Sequence, residues 1–381
     1  MKALLVCNAY PSDGNLYRNG FIHRRVKMYQ AAGLDVQIFY HHEPVARAYS
    51  YVYDGVEVLV GNRDALETCV QTDYYDVFLV HFAEPERVAP LLETQKPIIV
   101  WIHGFEAEGW HRRWFNYLWS PSLAAELIQK KDSYYKGQNE FIRNLVLEYP
   151  ERVTFVHISD WFRQMVVEPD IGVEFTNFET IPNFIDTDLF SFTPKHPNQR
   201  LKILSIRPFA SYKYANDQSV EAIKILSGRP YFNELQFEIY GEGKLFESAT
   251  SGLKGFKNVT TRNKFLTQTE IAKMHGEFGV FLAPTRFDSQ GVSTGEAMSS
   301  GLVPISSKVS AIPEFISDRS SGLLAKPESP ESIANCIEEL YFDSDLFNEL
   351  SVGASSFVSK KCGREATIDR EVALICDRAG L

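Results

Sequence analysis

The sequence predicts an α/β protein built from two doubly wound, mainly parallel sheets. At 381 residues, the chain is longer than a single hydrophobic core usually supports, so two domains are expected. Apolar runs of strand length alternate with helical stretches along both halves. Runs such as YDVFLVHF and PIIVWIHG are apolar at consecutive positions, which is typical of parallel strands buried on both faces.

The first half, residues 1–185, is expected to form one Rossmann-like domain. Strands are predicted at KALLVCNAY, LDVQIFYH, VEVLVG, YDVFLVHF, PIIVWIHG and VTFVHISDW. A helix is predicted at FIHRRVKMYQAAG, and Gly33 at its end is typical of a helix C-terminus. The stretch IPNFID, residues 181–186, closes this half.

The second half, residues 186–345, repeats the alternation and predicts a second sheet domain. Strands are predicted at LKILSIRPF, LQFEIYGEG, KNVTTRN, GVFLAPTR and VPISSK, and helices at DQSVEAIKILSG, TQTEIAKMHGEF, GVSTGEAMSSG and SPESIANCIEELYF. The prolines of TPKHP, residues 193–197, interrupt regular structure near the boundary. A helical segment, residues 346–381, is expected to cap one of the domains, and packing back on the first domain is one of the two alternatives.

Composition excludes several classes of protein. A formal net charge of -10 argues against a general nucleic-acid binder. The five cysteines are scattered and lack CxxC spacing, which favours reduced thiols in a cytoplasmic protein over a disulfide scaffold or zinc site. No apolar run is long enough to span a bilayer, and MKALLVCNAY is interpreted as a buried strand and not as a signal peptide.

The most informative stretch is DSQGVSTGE, which places Asp288 and Glu296 eight positions apart around a glycine turn that opens a helix. The start of a helix binds anions, and carboxylates on either side can accept hydrogen bonds from sugar hydroxyls. A phosphate site between two hydroxyl acceptors suggests a sugar nucleotide. The alternative is an ordinary helix N-terminus with an acid in its first turn, an arrangement that is favourable in itself.

Three other groups follow strands of the same predicted sheet. They are Arg207 and Lys213 after LKILSI, Gly241 and Gly243 in IYGEG, and Thr285 and Arg286 after VFLAP. The carboxyl ends of parallel strands share one edge of the sheet, so these groups should converge with the helix start. Two cations there could neutralise a diphosphate, although each group alone is also consistent with an ordinary surface loop.

With these residues in place, the second half resembles the nucleotide-binding domain of retaining GT-B glycosyltransferases, most closely glycosyltransferase family 4. That family has two glutamates eight apart around a glycine-rich loop. The motif continues here with Ala297-Met298-Ser299-Ser300-Gly301, Val303-Pro304-Ile305 and Pro313-Glu314. IPNFID resembles the Ile-Pro-Asn-Gly-Ile-Asp of the family's domain junction. Two positions depart from the family: Asp288 replaces the first glutamate, and Phe184 replaces the junction glycine.

The resemblance implies a GT-B fold, in which two Rossmann-like domains face each other across a cleft, and transfer of a sugar with retained anomeric configuration. It implies catalytic roles for His103, Arg207, Lys213, Asp288 and Glu296. It implies donor contacts at Gly14, Gly20, Gly241, Gly243, Thr285, Arg286, Gly291, Val292 and Ser293. A UDP-sugar is the expected donor, with a GDP-sugar as the alternative. No cofactor is expected, and no metal, since no DxD-type motif is found and the cations and helix dipole can replace a metal.

Acceptor contacts are expected at Glu106, Trp110 and Trp114. The two tryptophans belong to GWHRRWFNYLWSP, residues 109–121, which is rich in aromatic and basic residues. Such a segment could stack on a sugar acceptor, rest on the inner face of a membrane as a peripheral contact, or form an amphipathic helix packed on its domain. The acceptor is expected to be a glycan, glycolipid or glycoprotein, as in polysaccharide biosynthesis.

Other functions remain as alternatives. One is a catalytically degenerate GT-B protein that supports a partner glycosyltransferase, for which Asp288 and Phe184 are the best arguments. A related sugar-phosphate synthase or phosphorylase is another, although no lysine site for pyridoxal phosphate is identified. A Rossmann dehydrogenase would need a GxGxxG motif after the first strand, and the chain has none there.

Overall fold

A computed structural model describes residues 1–14, 18–71, 74–117 and 120–380. The chain divides into two compact units. Unit 1 comprises Met1–Arg112, Ala125–Phe184 and Glu365–Leu381, and unit 2 comprises Arg113–Ala124 and Ile185–Arg364. None of the helices in the described residues is long and apolar enough to cross a membrane.

Unit 1 contains, within its described residues, an eight-stranded sheet in the order β3-β4-β2-β1-β5-β6-β7-β8. The strands are β1 Lys2–Cys7, β2 Asp35–His41, β3 Tyr49–Tyr53, β4 Val56–Gly61, β5 Val77–His81, β6 Ile98–Ile102, β7 Val153–His157 and β8 Phe178–Thr180. The β3–β4 pair is antiparallel, and the other pairs are parallel. Sequence analysis did not predict β3 and β8, which are the edge strands and the least buried ones.

The helices between β1 and β8 are α1 Gly20–Ala31, α2 Arg63–Val70, α3 Pro85–Leu92, α4 Pro121–Lys130, α5 Lys136–Glu148, α6 Asp160–Phe162 and α7 Glu168–Ile171. The predicted helix after the first strand is confirmed as α1, which buries Ile22, Val26 and Tyr29 along one face. The alternative that residues 109–121 form an amphipathic helix is wrong for the described residues. They form turns with one 3-10 turn at Trp114–Asn116, and α4 begins only at Pro121.

Unit 2 contains, among its described residues, a six-stranded sheet in the order β11-β10-β9-β12-β13-β14, with parallel pairing. The strands are β9 Lys202–Ile206, β10 Gln236–Tyr240, β11 Val259–Arg262, β12 Val280–Leu282, β13 Val303–Ser307 and β14 Leu323–Ala325. Five of them were predicted, and β14, only three residues long, was not.

The helices of unit 2 are α8 Asn216–Leu226, α9 Phe246–Thr250, α10 Gln268–Glu277, α11 Val292–Ser299, α12 Ile312–Phe315, α13 Pro330–Phe342 and α14 Ser344–Cys362. Local signals explain where they begin: α10 starts with a capping box between Thr267 and Glu270, and α13 starts at Pro330 behind the capping Ser329. The chain then returns to unit 1 with α15 Ile368–Arg378.

Candidate functional site

Three charged side chains meet beyond the carboxyl ends of neighbouring strands in unit 2. Arg207 follows β9, Lys213 lies in the loop before α8, and Asp288 follows β12. The Lys213 Nζ lies 3.7 Å from one Asp288 carboxylate oxygen, and the Arg207 Nη2 lies 3.9 Å from the other. The sequence-predicted cation pair and the first acid of the DSQGVSTGE stretch therefore come together as expected of one sheet edge.

Helix α11 starts beside these charges. Gly291 precedes it in the left-handed conformation, with φ of 84°, which glycine adopts without strain. The Arg207 Nη1 donates to Ser293 Oγ in the first turn of the helix, at 3.2 Å. The first amide groups of an α-helix have no acceptor within the helix and carry its positive dipole end. Glu296 lies one turn further along and is 6% exposed.

The electrostatics favour an ionised Asp288. Burial disfavours the carboxylate, but the charges of Lys213 and Arg207 and the amides of Gln290 and Ser289 outweigh it, so the pKa of Asp288 lies below its usual value. Burial lowers the pKa of Arg207, which stays protonated because arginine is so basic. Two cations thus share Asp288 next to a helix N-terminus, and the group attracts an anion.

Thr285 and Arg286, which were predicted to contact the donor, hold the Lys213 loop. The Lys213 carbonyl accepts from Thr285 Oγ1 at 2.9 Å and from the Arg286 amide at 2.8 Å. The Arg286 guanidinium donates two hydrogen bonds to the Asp217 carboxylate and forms an ion pair with Glu328. Burial lowers the pKa of Arg286, but these two carboxylates outweigh it and raise the pKa above its usual value. These contacts position Lys213.

Tyr214 is part of the site and was missed by sequence analysis. The Arg207 guanidinium carbon lies 5.0 Å from the centroid of the Tyr214 ring, and the Lys213 Nζ lies 5.7 Å from it. Cation–π contacts of this kind help to hold two like charges near each other. Its position next to Lys213 was the only available signal, and a tyrosine in a loop is too common to be specific.

Contacts within the protein explain why glycine is needed at both positions of the Gly-x-Gly after β10. Both glycines have positive φ, 153° for Gly241 and 145° for Gly243. A Cβ at Gly241 would lie 1.9 Å from the Arg207 carbonyl oxygen, and one at Gly243 would lie 2.2 Å from the Phe209 carbonyl carbon. The close approach that requires glycine in the structure is therefore to the loop that carries Arg207. Contact of Gly241 and Gly243 with a donor stays a prediction.

In unit 1, His103 follows β6 and is 8% exposed. Its Nε2 lies 2.8 Å from the Nδ1 of His81, which ends the neighbouring strand β5, and its ring packs edge-on against Phe21. Burial lowers the pKa of both histidines well below the usual value, so both are neutral at physiological pH. His81 was missed, although a polar residue that ends a buried apolar run was the available signal.

Glu106, a predicted acceptor contact, lies on the loop after β6 and is fully buried. Its carboxylate accepts from the backbone amides of His103 and Gly104, the second at 2.9 Å. Burial raises its pKa to about 7 despite these hydrogen bonds. The carboxylate thus supports the loop that carries His103, and its contact with an acceptor stays a prediction.

The other predicted positions of unit 1 are less constrained. A Cβ added at Gly14 or Gly20 would meet nothing within 4 Å, so packing does not require glycine at either position. The part of this loop at residues 15–17 lies outside the described residues. Trp110 is half-buried, and the Lys131 Nζ lies 5.6 Å from its ring centroid.

Trp114 belongs to unit 2 and is 51% exposed. Its segment is tied to the Lys213 loop by a hydrogen bond of 2.6 Å from Ser211 Oγ to Asn116 Oδ1. The remaining part of the aromatic segment at residues 118–119 lies outside the described residues. The segment thus reaches the loop of a predicted phosphate-binding lysine, which no pattern in the sequence indicated.

Phe184, where the resembling family has glycine, is 6% exposed and packs in the hydrophobic core of unit 1 with Trp101 and Ile181. This departure is explained by local packing.

Comparisons with known proteins give a family match for part of the chain and a fold match for most of it. Residues 201–343 match the family model described as glycosyl transferases group 1. A glycosyltransferase from Rickettsia africae has a similar structure, with a TM-score of 0.69, 13% identity, and coverage of 99% of this chain and 98% of that one. Sucrose-phosphate synthase from Thermosynechococcus elongatus is similar with a TM-score of 0.70, 13% identity and 98% coverage of both chains. HepE of Anabaena, solved with UDP and glucose, has a TM-score of 0.69, 13% identity and 99% coverage of both.

None of the curated proteins matches the sequence significantly. The structural likeness, at these identities, concerns the fold, and it confirms the predicted GT-B class with two mainly parallel sheets. The family match covers β9 to α13, the region that carries Arg207, Lys213, Asp288 and Glu296. Fold and family match together support sugar transfer from a nucleotide sugar.

Proposed function

We propose that this chain, which has the GT-B fold and matches glycosyl transferases group 1 over residues 201–343, is a retaining glycosyltransferase. It moves a sugar from a nucleotide diphosphate sugar to an acceptor hydroxyl. The observation that carries the proposal is the placement of Arg207 and Lys213 on either side of Asp288 beside the first turn of α11. A buried arginine, a half-buried lysine and a helix N-terminus form a site suited to a diphosphate.

The leaving group explains why these residue types are needed. The bond between the anomeric carbon and the β-phosphate oxygen breaks, and negative charge grows on the diphosphate while an oxocarbenium ion develops on the sugar. Arg207, Lys213 and the amides of Gly291 and Val292 would stabilise that charge as it forms. The acceptor oxygen attacks the same face, and its proton passes to the departing phosphate oxygen, so the anomeric configuration is retained.

The two acids have separate roles in this proposal. Glu296 accepts hydrogen bonds from the ribose hydroxyls, as the resemblance to glycosyltransferase family 4 implies. Asp288 lies within 4 Å of both cations and orients the donor sugar. Its side chain is one methylene shorter than the family's glutamate, which changes the reach toward the sugar hydroxyls. His103 contacts the donor sugar in the same resemblance, and its neutral ring fits hydrogen bonding better than charge stabilisation.

A uridine donor has the best support, since HepE of Anabaena and TarM of S. aureus were solved with UDP. A GDP-sugar is the alternative. Charge neutralisation by Arg207 and Lys213 replaces a bound metal in the proposed mechanism, and no cofactor takes part. The acceptor is proposed to be a glycan or a lipid-linked sugar, in contact with the aromatic segment that includes Trp110 and Trp114.

Thermal unfolding with UDP, GDP and a panel of sugar nucleotides tests the nucleotide site, because a ligand that binds only the folded chain raises Tm. Lys213→Ala should abolish that shift and lower kcat/KM by about 10²–10³-fold. Lys224→Ala is the matched control, since Lys224 lies on α8 in an exposed pair with Glu221. Its nucleotide shift and turnover should equal those of the wild type.

The outcomes separate the candidates. If no nucleotide shifts Tm, the proposed site is wrong. Nucleotide binding without turnover of any donor would favour the degenerate protein that supports a partner enzyme. An NMR determination of the anomeric configuration in the product tests retention, and an inverted product would overturn that part of the proposal.

A further inference from the structure

The carboxylate of Asp288 is tied to its own backbone turn. One of its oxygens accepts from the Ser289 amide at 3.0 Å, and the Gln290 amide also donates to the carboxylate. The carboxylate cannot rotate away without losing these hydrogen bonds. The distances from Asp288 to Lys213 and Arg207 therefore depend on where the backbone of this turn lies.

Ser310 holds that backbone from the neighbouring loop. Asp288 lies in the loop after β12 and Ser310 in the loop after β13, and these two strands pair in parallel, so both loops lie at the same edge of the sheet. Ser310 Oγ accepts from the Asp288 amide at 2.9 Å, and the Asp288 carbonyl accepts from the Ala311 amide at 3.3 Å. The backbone N–H and C=O of Asp288 are thus both bonded to residues 310–311.

Ser310 has a side chain at a backbone conformation that favours glycine. Its φ is 46°, in the left-handed region, where a residue with a Cβ is less stable than glycine. Ala215, which ends the Lys213 loop, has the same φ, so strain of this kind occurs twice around the charged group. Strained residues of this type concentrate at functional sites, where the side chain has a use that outweighs the strain. The bond that Ser310 accepts from the Asp288 amide is such a use.

We propose that Ser310 is a positioning residue that holds Asp288 within reach of both Lys213 and Arg207. This inference rests on the proposed function, in which Asp288 orients the donor sugar. Ser310 acts through the Asp288 amide and needs no contact with the substrate. A glycine at this position would relieve the backbone but would remove the acceptor, so the serine serves the placement of the carboxylate and not the stability of the loop.

Two variants separate the backbone strain from the hydrogen bond. Ser310→Ala keeps a Cβ in the left-handed conformation and removes the acceptor, whereas Ser310→Gly removes the acceptor and the strain together. Tm should be higher for Ser310→Gly than for Ser310→Ala, and kcat should fall about tenfold in both. If kcat instead followed Tm, with Ser310→Gly close to the wild type, the role would be structural and the proposal would be overturned.

A double-mutant cycle tests whether Ser310 acts through Asp288. Ser310→Ala should lower kcat about tenfold in the wild type, but by less than about twofold when it is combined with Asp288→Ala, because the carboxylate that it positions is then absent. Equal losses of kcat in both backgrounds would contradict the proposal.

Ser321→Ala is the matched control for the loss of a serine acceptor. Ser321 Oγ accepts from the Ser317 amide at 2.8 Å in the loop before β14. Because β13 and β14 are parallel, the start of β14 lies at the opposite edge of the sheet from Asp288. Ser321→Ala should lower Tm and leave kcat unchanged. A comparable fall in kcat would show that the loss of any such acceptor slows turnover, and would overturn the kinetic argument.

Carbon-13 NMR gives a test that needs no turnover. Labelled aspartate reports the pKa of each carboxyl group in the full chain, and Asp288→Asn assigns the Asp288 signal. Burial alone would raise this pKa, but the charges of Lys213 and Arg207 outweigh burial, so it should lie below its usual value in the wild type. In Ser310→Ala the pKa of Asp288 should move up toward the usual value, and in Ser321→Ala it should not.

An unchanged pKa of Asp288 in Ser310→Ala would overturn the proposal, whether or not the chain transfers a sugar. Failure of the transferase proposal and failure of the positioning proposal therefore give different results.

Discussion

In unit 1, Arg25 and Glu371 form a closed ion pair, whereas in unit 2 Arg207 and Lys213 share the carboxylate of Asp288. The Arg25 Nε lies 3.1 and 3.2 Å from the two Glu371 oxygens, and Tyr29 and Trp101 also donate to that carboxylate. The distances to Asp288 are 3.7 and 3.9 Å. Arg25, Glu371, Arg207 and Asp288 are all buried and Lys213 is half-buried, so the main difference is in how completely the charge is matched.

That difference distinguishes a structural network from the proposed binding site. In the Glu371 network, one negative charge faces one guanidinium, and neutral donors occupy other acceptor positions, so burial of the charge is compensated. In the Asp288 group, the long distances and the second cation leave positive charge for an incoming anion. Buried charge alone therefore does not indicate a functional site, and the proposal for the Asp288 group depends on unmatched positive charge beside a helix N-terminus.

The largest effect is expected for Glu371→Ala, which leaves Arg25 buried without its counter-charge. The free energy of unfolding should fall by about 3–5 kcal/mol, measured by denaturant unfolding. Glu179→Ala is the control. Glu179 forms an exposed ion pair with Arg370, which lies next to Glu371 on helix α15. Its loss should cost about 1 kcal/mol or less. If both variants lost a similar amount of unfolding free energy, burial would not determine how much these ion pairs stabilise the fold.

The next largest effect is expected at Glu106, whose protonation makes the free energy of unfolding depend on pH. Its pKa in the folded chain, about 7, is above the ordinary value of 4.5, so the folded state binds the proton more tightly than the unfolded state. Stability from this group is present at low pH and is lost as pH rises from about 4.5 through 7, by up to about 3 kcal/mol. Glu106→Gln should flatten that part of the stability profile. An unchanged slope would contradict the shift.

Gly243→Ala tests whether the glycines after β10 serve the Arg207 loop. The added Cβ would collide with Phe209, so stability should fall by about 1–3 kcal/mol, and nucleotide affinity should fall with it as the loop moves. Gly276→Ala is the control, because a Cβ added there would meet nothing within 4 Å and the residue belongs to helix α10. It should be neutral or stabilising by about 0.5–1 kcal/mol. Denaturant unfolding and calorimetric binding of UDP measure both.

The smallest effects are expected at Asp288. Asp288→Asn removes the negative charge that faces the diphosphate, so UDP should bind several-fold tighter while kcat for transfer falls. The pKa of Asp288 in the folded chain is lower than its ordinary value. The ion pairs of Asp288 therefore stabilise the fold at pH values above the ordinary pKa, and this stabilisation is lost as the pH falls through the pKa of the folded chain. The wild type should therefore lose more stability than Asp288→Asn on acidification below about pH 4. Weaker UDP binding by the variant would show that Asp288 supports the phosphate site.

Much of the fold could be predicted because its signals are local. Buried parallel strands are apolar at consecutive positions, and α10 and α13 carry their caps within four residues. The edge strand β3 escaped prediction because it is mostly exposed, so its sequence carries no burial pattern. Arg207, Lys213 and Asp288 could be placed together because the ends of parallel strands meet at one edge.

The sequence by itself determined the fold class and the position of the charged site, since both depend on short patterns and on the geometry of parallel sheets. Only the tertiary structure decided what each side chain contacts. Arg25 and Glu371 are 346 positions apart, and their pairing leaves no mark on either local sequence. The same holds for the His81–His103 bond and for the collision that excludes a side chain at Gly241. These contacts depend on distances of a few ångströms between segments that are remote in the chain, and no local pattern contains those distances.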